Sequence, residues 1–267
     1  MTSGVFQYKT SKLAYIVSGN GPKTILLFHG FGQSHKAFES LQTSLTHNYT
    51  VYNFDLYFHG KSEWCNGEKP LEKTFWNEMF QQFLIEQGIK RFSICGFSIG
   101  CRFVMTTVEA FAEQIEDVYL LAPDGIKRSF WYTISTYPYL LRRVFKSMIL
   151  HPSLFRIIIN ALFELRLMKK GLLKFAEHQM NTVEKRRKVY FSWVVFRHLF
   201  CDLKEFTELV NYKKIPLMVV VGKQDQVITA KSMDGFLKQL RNARFEILDI
   251  GHAGLLKDPA LKTLFRR

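Results

Sequence analysis

The chain has little with which to cross-link itself or to hold a metal. Its four cysteines, Cys65, Cys95, Cys101 and Cys201, form no C-x-x-C pair and have no companion histidines at zinc spacing. That excludes a disulfide framework and a zinc module, and free thiols in a reducing compartment are expected. No positively charged start leads into an apolar run, and the longest apolar stretches are broken by Arg, Glu or Pro well short of bilayer length. A soluble, cytoplasmic protein is therefore expected. Internal repeats and low-complexity tracts are also missing. Acidic residues are scarce, 23 against 37 Lys and Arg, for a net charge of +14. An apolar fraction of 47% argues against disorder, and 267 residues suffice for a substantial α/β core.

What is present centres on Gly96–Gly100, GFSIG. The pattern G-x-S-x-G marks a strand that turns sharply into a helix and exposes a serine hydroxyl, here Ser98, at the bend. The two glycines fit because backbone approaches backbone too closely there for side chains. A chain of this length meets the pattern by chance on the order of one time in ten. Its surroundings must decide.

Those surroundings alternate strand and helix. Extended segments around Phe6–Tyr8 and Leu13–Val17 precede the turn at Gly19–Pro22, and Thr24–Phe28 is a β-rich apolar run ending in HGFG. Ser34 caps a helix running to about Leu45, YTVYNFDL is a strand, and DLYFHGKS is a loop. Pro70 starts a helix that Gly88 stops. RFSIC then leads into the elbow, and residues 99–114 read as the helix after it. DVYLLAP, PLMVVVG and FEILDI supply further strands. The expected fold class is α/β, a mostly parallel eight-stranded sheet with helices on both faces. Between Ile126 and about Asn211 the alternation stops, and a helical insertion is expected, with Gly171 as a break between helices. The domains expected are a core of residues 1–125 and 212–267 and a helical cap of residues 126–211.

A serine hydroxyl is a weak nucleophile at neutral pH and needs a base, usually an imidazole oriented by a carboxylate. Asp225, in GKQD, follows one late strand, and His252, in GHAG, follows another. Active groups in open α/β sheets gather at the carboxyl ends of strands, so Ser98, Asp225 and His252 can meet. Asp124, at the end of DVYLLAPD, is a rival carboxylate.

With HGFG, DLYFHGKS, GFSIG, GKQD and GHAG in this order, the chain resembles the α/β-hydrolase fold family, in its cap-bearing serine hydrolase and esterase branch. The resemblance covers nearly the whole length. It implies Ser98 as nucleophile, His252 as general base and then acid, and Asp225 as the group that fixes the imidazole tautomer. It also implies an oxyanion hole made of the backbone N–H groups of Phe31 and Ile99, and no cofactor or metal. Two positions depart from the usual pattern. Phe58 stands before His59-Gly60 where Gly is common, and Cys101 follows the elbow where a second Gly is frequent. His29 and His59 are read as loop-shaping residues.

The implied chemistry is hydrolysis of a carboxylic ester with a small or moderately apolar acyl group. Thioester, amide or carbon–carbon cleavage and acyl transfer would use the same triad. A reading of another class is a non-catalytic, membrane- or ligand-binding module. Lys127–Lys214 holds 18 Lys and Arg against 6 Asp and Glu. In Leu154–Met168, Arg156, Asn160 and Glu164 form a narrow polar stripe. That helix either packs against neighbours or meets acyl chains, and weak association with an anionic membrane surface is one partner expected of it. No nucleic-acid motif accompanies the charge.

Overall fold

The computed structural model describes residues 1–128, 130–166 and 180–265. They fall into two compact units, one of residues 1–66, 72–127 and 199–267, the other of residues 67–71 and 128–198.

The first unit is built on eight strands: β1 (Thr2–Tyr8), β2 (Ser11–Ser18), β3 (Lys23–Phe28), β4 (Tyr49–Phe54), β5 (Phe92–Phe97), β6 (Ile115–Leu121), β7 (Leu217–Gly222) and β8 (Ala243–Leu248). They lie in the order β1-β2-β4-β3-β5-β6-β7-β8. β1 and β2 pair antiparallel, as do β2 and β4, and every later pair is parallel. Parallel neighbours need a crossover, and helices supply the cover on each face.

The side-chain alternation of β3 shows how the sequence fills both faces. Ile25 and Leu27 join one core with Phe38, Leu41, Leu45, Val51, Cys95, Phe97 and the C-terminal Leu255, Leu256 and Leu261. Phe28 points the other way, stacked on Phe54 at 5.0 Å and packed against Trp76, Phe80 and Phe103. Those rings come from α2 (Lys73–Glu86) and α3 (Gly100–Phe111). Buried aromatic rings are worth about 1.5–3 kcal/mol each, so this cluster is a main source of the unit's stability.

Helix boundaries follow local chemistry. Ser34 accepts a hydrogen bond from Lys36 N, but the turn it starts is a 3-10 segment, His35–Phe38, which passes into α1 (Glu39–Leu45). α2 begins at Lys73, not at Pro70, and Pro70 lies in the loop before it.

The second unit holds α4 (Phe130–Thr136), α5 (Tyr139–Leu150), α6 (Pro152–Glu164) and α7 (Val183–Val195). This is the helical insertion between β6 and β7. Pro152 sits in the first turn of α6, where its missing N–H has no intrahelical role, and Thr182 caps α7 by accepting from Lys185 N. Within this unit Glu68 accepts from Tyr190 Oη at 2.9 Å and pairs with Lys146 at 2.5 Å. Burial pushes the Glu68 carboxyl up, but these partners outweigh it and hold it low. α8 (Leu203–Lys213), capped by Asp202, belongs to the first unit. Gly171 and the end of the Leu154–Met168 stretch lie outside the described residues. Among the described residues no helix is long and apolar enough to cross a membrane.

Candidate active site

The elbow is shaped by two close approaches. A β-carbon at Gly100 would stand 2.1 Å from the Phe28 carbonyl oxygen, and one at Gly96 would stand 2.8 Å from Cys101 N. Neither space admits a side chain. Between them Ser98 is held at φ +52°, in the left-handed region that an L residue enters only under constraint. The constraint is visible on both sides. Ser98 N donates to Leu121 O at 2.9 Å, while Ser98 O accepts from Cys101 N at 3.0 Å and Asp124 N at 3.1 Å.

Asp225 leaves the end of β7 with its side chain fully buried. Its Oδ1 accepts from the N–H groups of Val227 and Ile228, both at 2.8 Å. Its Oδ2 lies 2.6 Å from His252 Nδ1. With Nδ1–H donating to that carboxylate, Nε2 turns its lone pair toward Ser98 Oγ at 3.2 Å. The Phe97 ring lies along the imidazole, with centroids 5.0 Å apart. Ser98, His252 and Asp225 are thus brought into one chain of hydrogen bonds, suited to move a proton from the hydroxyl to the ring.

Asp124 is placed otherwise. Its Oδ2 receives Arg102 Nη2 at 2.7 Å, and the Arg102 guanidinium lies 4.0 Å from the centroid of the Phe200 ring. Cys101 is buried, its Sγ 3.1 Å from Gly96 O, and burial pushes its thiol well above the ordinary range. It fills the space after the elbow as a small apolar residue.

Ile99 follows the serine directly, and Phe31 lies in the loop after β3. The Ile99 amide opens the N-terminal turn of α3, where unpaired N–H groups and the helix dipole favour negative charge. Among the described residues neither the Phe31 nor the Ile99 N–H donates to a protein acceptor. Two histidines hold the loop that carries Phe31. His29 Nδ1 donates to Gly30 O at 2.7 Å and its Nε2 accepts from Leu56 N at 3.0 Å. His59 Nδ1 donates to Tyr57 O at 2.9 Å and its Nε2 accepts from Gly32 N at 2.9 Å. The loop after β3 and the loop after β4 are thereby stitched together, and the Phe31 ring meets His59 edge to face. Each pattern needs a neutral ring. Burial, with the neighbouring His59 adding to it, lowers the His29 pKa to about 3.

Sequence reasoning assigned these two histidines to loop shaping but not the latch between the loops. The signal was a His-Gly pair at the end of each strand. The Asp124–Arg102 pair was not foreseen, because nothing in residue spacing shows which carboxylate an arginine will meet. His35 is a further case. Its ring and backbone N–H both reach Asp55 Oδ1, at 2.9 and 2.7 Å, so it serves the loop after β4. Phe58, at φ +68°, adopts the left-handed backbone for which Gly is common at this place.

The parallel sheet and the elbow at the carboxyl end of its fifth strand define a hydrolase fold. The chain belongs to the α/β-hydrolase fold family, whose pattern matches residues 23–259. A pimeloyl-[acyl-carrier protein] methyl ester esterase of Nitrosomonas europaea is 24% identical over 116 residues. That match spans 43% of this chain and 43% of the esterase, so less than half of that relative's length is matched. Among solved structures, a thermophilic esterase from Thermogutta terrifontis has a TM-score of 0.72 at 16% identity, covering 100% of this chain and 97% of that one. The enol-lactonase from Burkholderia xenovorans has a TM-score of 0.67 at 16% identity, covering 95% of each chain. At these identities the structures share the fold.

Proposed function

We propose that the protein hydrolyses a carboxylic ester through an acyl-enzyme formed on Ser98. The observation that carries this reading is the hydrogen-bonded chain from Ser98 Oγ through His252 to Asp225. In the first step Ser98 Oγ attacks the ester carbonyl carbon as its proton passes to His252 Nε2. The carbonyl electron pair moves onto oxygen, where the N–H groups of Phe31 and Ile99 are the proposed donors. Collapse restores the carbonyl and expels the alcohol, which takes the proton from His252. A water molecule then repeats the sequence on the acyl-enzyme, with His252 again the base, releasing the carboxylic acid and free Ser98. Asp225 stabilises the imidazolium present in each half. The likeness over 116 residues to a methyl ester esterase supports an ester as the substrate class. No cofactor enters these steps.

The test is a panel of p-nitrophenyl esters of increasing acyl length, run beside Ser98→Ala and fluorophosphonate labelling. Turnover abolished by Ser98→Ala, with labelling confined to Ser98, is expected. Strong labelling with negligible ester turnover would move the reading to a thioester, amide or acyl-transfer substrate. Turnover unchanged in Ser98→Ala would end it.

A further inference from the structure

Exposed apolar residues are ordinary when scattered, and informative when concentrated. Of the seventeen large apolar residues exposed among the described residues, ten fall between Phe130 and Leu165. They are ordered by helix geometry. On α6 and its C-terminal cap, Leu154, Ile157, Ile158, Ala161 and Leu165 repeat at helical spacing along one side, and none is buried. Ile157 is 65% and Leu165 67% exposed. The polar residues Arg156, Asn160 and Glu164 run along one flank of that stripe, and Phe155 is buried on the other flank. On α5 the last turns bury Phe145, Met148 and Ile149, while Leu140, Leu141 and Val144 in the first turns stay exposed, Leu140 at 71%.

Charge says what such a surface would meet. Residues 128–198 contain 14 Lys and Arg against 3 Asp and Glu. Arg143 and Arg156 are exposed and make no ion pair among the described residues. A second copy of the chain would oppose this cationic surplus with an equal one. Nucleic acid would satisfy the charge but leave the apolar stripes in water. A bilayer with anionic headgroups satisfies both, because apolar side chains enter the interfacial region while arginines reach the phosphates. We propose that the helical insertion docks on an anionic lipid surface, with the α6 stripe and the first turns of α5 seated in the interface and Arg143 and Arg156 at the headgroups. The proposal does not depend on the ester reading.

The experiment is sedimentation of the full chain with vesicles of ether-linked phosphatidylcholine, with and without ether-linked phosphatidylglycerol, at low and physiological salt. Each basic residue near an anionic surface is worth about a fivefold gain in affinity, so the anionic vesicles should bind at least tenfold more tightly. Salt should weaken that binding. Ser98→Ala should bind like the parent. The double variants Leu140→Asp/Ile157→Asp and Arg143→Glu/Arg156→Glu should each lose tenfold or more while melting within a few degrees of the parent, since every substituted side chain is exposed or on the surface of its helix. Equal binding to neutral and anionic vesicles, or none at low salt, overturns the proposal. So does a concentration-dependent dimer that the Leu140/Ile157 variant abolishes, which would assign the stripes to a second copy.

Discussion

Arg102 Nη2 stands 2.7 Å from Asp124 Oδ2, and the pair sits one turn from the elbow with the arginine side chain only 4% exposed. Asp124 follows β6 at a place where a carboxylate could have served the histidine. Committed to a buried guanidinium, it instead secures the loop after β6, where its own N–H donates to the Ser98 carbonyl. Asp225 is the carboxylate that meets His252.

This division of labour separates two variants that look alike on paper. Asp225→Asn should keep the fold but lower kcat by roughly 10⁴-fold, because an amide at that place favours the wrong imidazole tautomer. Asp124→Asn should leave kcat within about tenfold and instead cost about 1–3 kcal/mol, the penalty for weakening a buried charged hydrogen bond. Ester kinetics and urea denaturation of both variants check the pair of outcomes. Comparable kcat losses in the two would refute the assignment.

Gly100→Ala should damage stability and rate together. Its new β-carbon would stand 2.1 Å from a backbone oxygen of β3, so the elbow must move rather than a side chain rotate. Overpacking of this kind costs about 1–3 kcal/mol, and displacement of Ser98 by a fraction of an ångström should lower kcat by about 10²-fold. A fully active, equally stable Gly100→Ala would show that the elbow tolerates a wider turn.

Acid should unfold the first unit partly through His29 and Asp55. The folded pKa of His29 is lowered to about 3 by burial and by His59, whereas the unfolded ring takes up its proton near pH 6.5. Between those values the unfolded state binds the extra proton, so stability falls as pH falls, by up to about 1.4 kcal/mol per pH unit. For Asp55, burial pushes the carboxyl up, but hydrogen bonds from the His35 and Lys61 N–H groups and from the His35 ring outweigh it and hold it below its ordinary value. Its contribution is present above the unfolded pKa and is lost as pH drops through the folded one. Denaturant midpoints measured from pH 7 to 3 should show the decline, and His29→Gln, which keeps one donor and one acceptor, should flatten it by about one proton. An unchanged slope would locate the acid sensitivity elsewhere.

Thiol reactivity should be uneven. Cys65 is exposed, whereas Cys95, Cys101 and Cys201 are buried and burial pushes their thiols upward. A thiol reagent should label Cys65 alone in the folded protein, and all four cysteines after denaturation, with ester turnover unaffected by the first label. Rapid native labelling of Cys101 would contradict the tight packing behind the elbow.

The sequence by itself determined the alternation of strand and helix, the break where the helical insertion begins, and the order of Ser98, Asp225 and His252. These are properties of hydrophobic period and of short motifs, which neighbouring residues carry among themselves. Some local boundaries were not legible. Pro70 looked like a helix start, but α2 begins at Lys73 and Pro70 lies in the preceding loop. Only the tertiary structure decided which carboxylate stands beside His252 and which is taken by Arg102. It also decided that His29 and His59 latch two loops, and that Ile157 and Leu165 of the α6 stripe stay exposed beside the polar flank. Such choices rest on hydrogen-bond distances between groups as far apart in the chain as Ser98 and His252, 154 residues. A shift of an ångström, invisible in residue spacing, makes or breaks each of them.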